Sequence, residues 1–333
     1  MTKSNKLPTM KDVAKQAGVS LGTVSKVFNG IPVGDEYRIK VEAAAKELGY
    51  QVNVYARGLR ASKTNTIAVI LPNITHPFYA SMADYCCQML AKRGYRMLLA
   101  TTSFDPKTEQ KCIDMVQQNK VDGIIAITYN PELEVNEDIP FVIIDRKFHN
   151  HIPCVSSDNY AGGQMAAEKL AENGCKHLLF LGISSHVAGE ADKRYQGFMQ
   201  YCESNQIDYT IQRVWDEDGL EALQEFLLQN INSGAFPYDG IFCGTDILAA
   251  QVISFLKENG VRVPEDVQII GYDGIPIFGL KDYYCSTIKQ PLAQMASTAV
   301  DILLSDNQSA PALICLPVEY CPGGTTRDSF PHS

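Results

Sequence analysis

The chain has 333 residues, of which 45% are hydrophobic and 20% charged; at roughly 100–200 residues per domain this predicts two or three packed domains and excludes wholesale disorder or a fibrous repeat. No apolar run approaches the ~20 residues that span a bilayer, and the basic start through Lys6 leads into no apolar stretch of signal-peptide type, so a cytoplasmic protein with no membrane partner is expected. The net charge of −9 hides an asymmetry: residues 1–63 hold eleven Lys/Arg against five Asp/Glu, a balance of +6, and the other residues hold 18 against 33, a balance of −15. A basic head gains affinity for a duplex by releasing counterions from phosphates, while an acidic body is repelled from it.

Residues 9–49 read as three short helices. Thr9 with Asp12 has the spacing of a capping box, Val13, Ala14 and Ala17 form one apolar stripe, and Gly18 offers the turn that ends a helix over 10–17. Ser20 can cap a second helix through Phe28, with Val24, Val27 and Phe28 inward, Leu21, Gly22, Ser25 and Lys26 outward, and Asn29-Gly30 as the stop. A third is expected over 35–48, where Val41, Ala44, Ala45 and Leu48 recur at helical spacing before Gly49. Asn53 could cap a segment over 54–60, but so few residues cannot hold a helix alone in water.

From Thr66 onward, β-branched runs alternate with helical patterns. Strands are expected at 67–71, 97–101, 123–128, 141–145, 178–183, 240–244 and 267–272, with helices such as 77–93, 160–173 and 246–259 between them. That alternation is the mark of βαβ units and parallel sheets. Val121-Asp122-Gly123-Ile124-Ile125 returns 117 residues later as Tyr238-Asp239-Gly240-Ile241-Phe242, which predicts two similar α/β lobes. Asp145 and Asp273 close two of the strands, at the carboxyl ends where such sheets bind ligands, and Asp246 reads as the N-cap of the helix after it.

The ten cysteines show no C-x-x-C spacing and are expected to be reduced core thiols. His149-x-His151 has no third ligand nearby and reads as a solvated turn, so no metal and no cofactor is expected. There is no G-x-G-x-x-G, Walker loop, G-x-S-x-G elbow or H-E-x-x-H helix, and no enzyme is expected.

The two helices around Gly18-Val19-Ser20 form a helix-turn-helix pattern, in which the second helix presents its first residues to base edges in the major groove. The string Thr9-Met10-Lys11-Asp12-Val13-Ala14-Lys15-Gln16-Ala17-Gly18-Val19-Ser20, continued by Thr23-Val24-Ser25-Lys26-Val27-Phe28-Asn29-Gly30, resembles the amino-terminal signature of the LacI/GalR (lactose-repressor) family of bacterial transcription regulators. The match runs on through Leu48-Gly49-Tyr50, Asn53, Ala56-Arg57 and Leu59, and the resemblance covers nearly the whole chain.

The resemblance implies an α/β, two-lobed, periplasmic-binding-protein-like body with an all-α helix-turn-helix headpiece. The expected division is a DNA-binding domain over 1–50, a hinge helix over 51–63 and an effector-binding and dimerisation domain over 64–333, with lobes of about 64–160 plus 291–320 and 161–290 plus 321–333. Leu21, Gly22 and Lys26 then fall at base-reading positions, and Thr23, Ser25 and Asn29 help dock the helix. Lysine can donate to guanine and leucine can touch a thymine methyl, whereas glycine does neither, so DNA shape carries part of the specificity. Asn53, Tyr55, Ala56, Arg57 and Leu59 fall in the hinge, where paired copies order each other and Leu59 matches a leucine wedged between base pairs. Val52 and Gly58 depart from the family pattern there.

For the body, the resemblance implies an effector held between the lobes. Arg194, in Lys193-Arg194-Tyr195-Gln196-Gly197-Phe198, matches the effector-binding arginine motif, beside Asp145 and Asp273; Phe78, Trp215, Thr245 and Gln290 match less directly, with Thr245 standing where the family often has asparagine. Carboxylates and guanidinium groups with an aromatic face suit a carbohydrate, while a nucleobase or phosphorylated metabolite remains an alternative. The expected partners are operator DNA and a second copy of the chain. No leucine heptad trails Cys321-Pro322-Gly323-Gly324, which points to a dimer rather than a tetramer. The competing reading is a sugar-binding receptor without DNA binding.

Overall fold

The computed structural model describes residues 8–50, 63–146, 152–216, 218–232, 236–277, 280, 282–305 and 311–327. Its contacts divide the chain into two units, Met1–Thr64 and Asn65–Ser333. The expected hinge residues Asn53, Tyr55, Ala56, Arg57 and Leu59, and the pair His149 and His151, lie outside the described residues.

In the first unit, helices α1 (Met10–Ala17), α2 (Leu21–Phe28) and α3 (Asp35–Leu48) start and stop where local hydrogen bonding dictates. Thr9 and Asp12 close a reciprocal capping box, with the Thr9 N–H donating to Asp12 Oδ2 at 2.8 Å. Gly18 ends α1 at φ 67°, a left-handed turn that an L side chain disfavours. Ser20 Oγ accepts from the Thr23 N–H at 3.0 Å to start α2. Val13, Ala14, Val24, Val41, Ala44 and Ala45 form the small common core of the three helices.

The second unit contains two six-stranded sheets among the described residues. The first holds β1 (Thr66–Leu71), β2 (Arg96–Thr101), β3 (Gly123–Ala126), β4 (Phe141–Ile144), β5 (Cys154–Ser157) and β11 (Leu313–Leu316), in the order β11-β5-β4-β3-β1-β2 and parallel throughout. Helices α4 (Pro77–Lys92) and α10 (Leu292–Leu304) pack on one face and α5 (Pro106–Gln118) on the other. The second sheet holds β6 (His177–Ser184), β7 (Asp208–Trp215), β8 (Gly240–Cys243), β9 (Gln268–Asp273), β10 (Ser286–Lys289) and β12 (Glu319–Cys321), in the order β12-β10-β9-β8-β6-β7. Its faces carry α6 (Asn159–Glu172) with α7 (Lys193–Asn205), and α8 (Gly219–Asn232) with α9 (Asp246–Glu258).

The chain passes between the lobes three times, from β5 to α6, from β10 to α10 and from β11 to β12. The crossings correct the expected boundaries: Asn159 and Tyr160 already belong to α6 of the second lobe, and Glu319–Cys321 pairs antiparallel with β10 there rather than closing the first lobe at 320.

The repeated pentapeptide has a physical basis. It lays β3 beside β1 and β8 beside β6, and its aspartate ties off the start of that neighbouring strand: Asp122 Oδ2 accepts from the Asn65 N–H at 2.6 Å, and Asp239 Oδ1 accepts from the His177 N–H at 2.9 Å. Strands β5, β7, β10, β11 and β12 escape the apolar-run criterion. Those at the edges are half-exposed, and β5 and β10 bury serine and threonine whose hydroxyls bond within the fold. The cysteines divide as well: six are buried, but Cys87 and Cys315 are exposed and Cys112 and Cys321 half-buried, so the all-core expectation fails where the cysteine faces out from an amphipathic helix or an edge strand.

Helices α6 and α7 meet through glycine. A Cβ on Gly163 would lie 1.9 Å from the Arg194 carbonyl oxygen, and one on Gly197 would lie 2.0 Å from that of Tyr160. Gly163→Ala is therefore expected to force the helices apart at a cost of about 2–3 kcal/mol. Differential scanning calorimetry should read that as a Tm lower by roughly 5–10 °C; an unchanged Tm contradicts the close approach.

Candidate functional site

The strand order of each lobe reverses beside its first strand, β1 in one and β6 in the other, and a cleft of about 550 Å³ opens where the carboxyl ends of both sheets face each other. Segments following β1, β2, β3, β4, β6, β7, β8 and β10, with the end of β9, supply its walls, so its residues come from the whole length of the body.

Arg194, in the first turn of α7, is 5% exposed. Its Nε donates to Asn159 Oδ1 at 2.7 Å, its Nη1 donates to the Gly244 carbonyl at 2.7 Å and lies 3.9 Å from Asp273 Oδ1, and its guanidinium stacks 3.7 Å from the centre of the Tyr272 ring. Asp273, at the end of β9, is 4% exposed. Its Oδ1 accepts from Gln290 Nε2 at 2.7 Å, while its Oδ2 is buried without a hydrogen-bond partner among the described residues. Loss of water pushes this carboxyl up to about 8, with the Arg194 charge opposing the shift and the Asp246 charge adding to it. A buried carboxyl oxygen left without a partner is costly in the empty protein and available to bond a ligand hydroxyl.

Asp145 follows β4 at φ 62° and is joined to the same group, because its Oδ1 accepts from Ser156 Oγ at 2.8 Å and from Asn159 Nδ2 at 3.3 Å. Asn159 thus bonds Asp145 with its nitrogen and Arg194 with its oxygen. Gln290 does the same at another crossing, accepting from Ser157 Oγ at 2.8 Å while donating to Asp273. A rotation of one lobe against the other moves these bonds, which ties the site to the relative position of the lobes.

Aromatic groups complete the walls. Phe78 is buried; Tyr79 and Tyr129 share a hydroxyl–hydroxyl bond of 2.9 Å, and Phe104 stands edge-on to Tyr129 at 4.8 Å. Arg146 lies 3.6 Å over Tyr129 and donates to the Val187 carbonyl, and Arg213 lies 4.1 Å over Tyr195 and donates to Asp192 Oδ1 at 2.6 Å. Ser103 and Phe104 both have positive φ, 53° and 62°, a strain of order 1–3 kcal/mol each. His76 lines the cleft and caps α4, accepting from the Phe78 N–H at 3.3 Å; burial, then the Arg194 charge, pushes its pKa down.

Of the residues expected at the effector site, Phe78, Asp145, Arg194, Thr245, Asp273 and Gln290 line this cleft. Trp215 is not among them: it ends β7 47% exposed and stacked 4.3 Å from His186, between Arg213 and Asp216, which do line the cleft. Thr245 rather than Asp246 caps α9, accepting from the Leu248 N–H at 3.1 Å. Asp246, one place further on, instead turns into the protein to accept from the Ile275 N–H at 2.7 Å and Thr287 Oγ1 at 2.6 Å, and burial pushes its pKa up. Tyr79, Phe104, Tyr129, Arg146, Asn159, Tyr195 and Arg213 were not foreseen; Arg146 and Asn159 each follow an aspartate at a strand end, a signal available in the sequence.

In the headpiece, α2 carries Leu21, Gly22 and Lys26 exposed. Thr23 Oγ1 shares a bond of 2.9 Å with Ser20 Oγ, and Asn29 Nδ2 donates to Ser25 Oγ at 3.2 Å, so these groups firm the ends of the helix.

A two-lobed cleft of this kind on a chain that opens with a helix-turn-helix defines a DNA-binding regulator with a small-molecule effector. Residues 64–310 match the family described as periplasmic binding proteins and sugar binding domain of LacI family, and residues 9–53 match bacterial regulatory proteins, lacI family. The chain belongs to the lacI family of bacterial regulatory proteins. It is 34% identical over 319 residues to the sucrose operon repressor of Streptococcus mutans serotype c, covering 94% of this chain and 98% of that one. To the ribose operon repressor of Bacillus subtilis strain 168 it is 34% identical over 327 residues, covering 96% and 99%. The lac repressor dimer bound to operator and the anti-inducer ONPF shares its fold, with a TM-score of 0.80, 23% identity and coverage of 96% and 99%.

Proposed function

We propose that this protein is a homodimeric operon repressor of the cytoplasm, without catalytic activity, whose two headpieces bind adjacent half-sites of a pseudo-palindromic operator and whose affinity for that operator is set by a sugar in the cleft. The observation that carries the effector half is the buried Arg194–Asp273–Gln290 group, with one carboxylate oxygen bare, bonded to residues at two lobe crossings. Paired donors and acceptors beside aromatic faces match the hydroxyls and apolar ring face of a carbohydrate. Relatives named for a two-ring sugar and for a one-ring sugar are equally similar, so the names alone do not choose between them. Residues 51–63 act in this reading as the hinge that transmits lobe movement to the headpieces, with Leu59 as the minor-groove wedge. By linkage, the operator and the effector change each other's affinity by the same factor.

Leu21 and Lys26 read base edges in this scheme, Gly22 at the position between them adds no contact and leaves part of the specificity to DNA shape, and Thr23, Ser25 and Asn29 dock the helix on the backbone. Lys26→Ala is expected to weaken operator binding about 5–150-fold, the worth of one base contact, while binding to random duplex falls only severalfold. Fluorescence anisotropy against operator and scrambled DNA measures both, and equal losses on the two duplexes refute base reading. Affinity for either should fall steeply with added salt. A receptor that merely carries a basic head shows no operator preference at any salt.

A further inference from the structure

We propose that the cleft has two subsites and that the effector is a glycoside of two rings, a sugar ring on the Arg194–Asp273 group and a second ring against Phe104 and Tyr129. The inference rests on the sugar reading above and adds the size and shape of the ligand to it. At about half a water's ~30 Å³ per heavy atom, a hexose displaces on the order of 180 Å³ and a two-ring glycoside on the order of 350 Å³. The cleft measures about 550 Å³. One ring leaves most of it to water.

The lining is graded in the same sense. The buried polar groups gather around Arg194, Asp273 and Gln290, as a polyol ring requires. Beyond them the walls turn to rings and stacked guanidinium groups: Phe104 and Tyr129 with Arg146 from the first lobe, and Tyr195 with Arg213 from the second. Guanidinium groups laid on aromatic faces and already bonded to Val187 and Asp192 form flat, rigid surfaces suited to stacking a ring.

Phe104 points most directly to a ligand. It is 45% exposed although it lines the cleft, and the chain holds it there through two consecutive residues of positive φ, Ser103 and Phe104 itself. Ile183, 47% exposed, offers apolar surface to the same cleft from the second lobe. Backbone strain that holds a half-exposed aromatic ring in the cleft gains nothing for the empty protein, and burial of that ring under a ligand offsets it. The second ring can be a sugar, as in a disaccharide, or an aryl aglycone, because both present an apolar face.

The test is isothermal titration calorimetry on the full chain with glucose, galactose and fructose, with sucrose, maltose, cellobiose and lactose, and with the 4-nitrophenyl glycosides of glucose and galactose. At least one two-ring ligand should bind tenfold or more tighter than its parent monosaccharide, and Phe104→Ala should cut that ratio at least fivefold while Phe104→Trp keeps it. If the disaccharides show the advantage and the aryl glycosides do not, the second ring is a sugar; the reverse assigns an aglycone. Equal affinity for one-ring and two-ring ligands, or a ratio unmoved by Phe104→Ala, overturns the outer subsite and leaves the sugar reading standing. No binding by any sugar overturns the sugar reading, and this inference with it.

Discussion

Replacing Arg194 with lysine is expected to cost the protein its effector response while leaving operator binding intact. The guanidinium spends Nε on Asn159 and Nη1 on Gly244, from a fork whose plane rests on Tyr272. Lysine keeps the charge but brings a single nitrogen, which cannot span both acceptors or lie flat on the ring. Both bonds are internal to the protein, so at about 1.5–3 kcal/mol each their loss is expected to lower the stability of the body, and the misplaced cation to lower effector affinity by roughly tenfold or more. The retained charge keeps a cation in the buried site, so the variant tests the fork geometry rather than the charge, which is the reason to choose lysine over alanine. Titration of effector into the variant, and of the variant into labelled operator, separates the two functions. If operator binding falls in step with effector binding, Arg194 holds the body together rather than serving the ligand.

Asp273→Asn should raise the stability of the empty protein at pH 8 and abolish effector binding. The Asp273 carboxyl is pushed up to about 8 by loss of water, against an unfolded value near 4. Between those limits the folded protein keeps a proton that the unfolded chain releases. The group's favourable contribution is therefore complete below about pH 4, declines through the window and is lost as pH passes 8. At most about 1.4 kcal/mol per pH unit comes from one such group, so urea midpoints should fall steadily from pH 5 to pH 8 in the native protein. In the asparagine variant most of that slope should vanish, leaving the part due to Asp246, whose carboxyl is also raised by burial. A slope of equal size in both proteins means that Asp273 is already ionised in the empty cleft. A ligand hydroxyl that donates to Oδ2 favours the carboxylate, so affinity should rise with pH through the same window.

Much of the architecture was legible because its causes are local. The capping box at Thr9 and Asp12, the Ser20 cap and the left-handed turns at Gly18 and Gly49 involve residues within a few positions of each other. Central strands announce themselves as apolar β-branched runs because both of their faces are covered. Edge strands such as β7 and β12 do not, since half of each faces water and a mixed pattern fits strand or loop equally. Asp145 and Asp273 were readable as cleft residues because a side chain at the carboxyl end of a parallel strand is placed near the crevice of such a sheet.

What the sequence by itself determined is the set of parts: a basic three-helix headpiece, two homologous α/β lobes, and polar residues at the ends of identifiable strands. Only the tertiary structure decided which of those ends meet. It brought Arg194 to Asn159, Gly244 and Asp273, left one oxygen of Asp273 without a partner among the described residues, and placed Phe104 in the wall of the cleft. Caps and periodicities act over a turn or a strand and so are written in spacing. The partners of a buried charge are chosen by the packing of whole sheets and helices, and that packing depends on the side chains of the entire body at once.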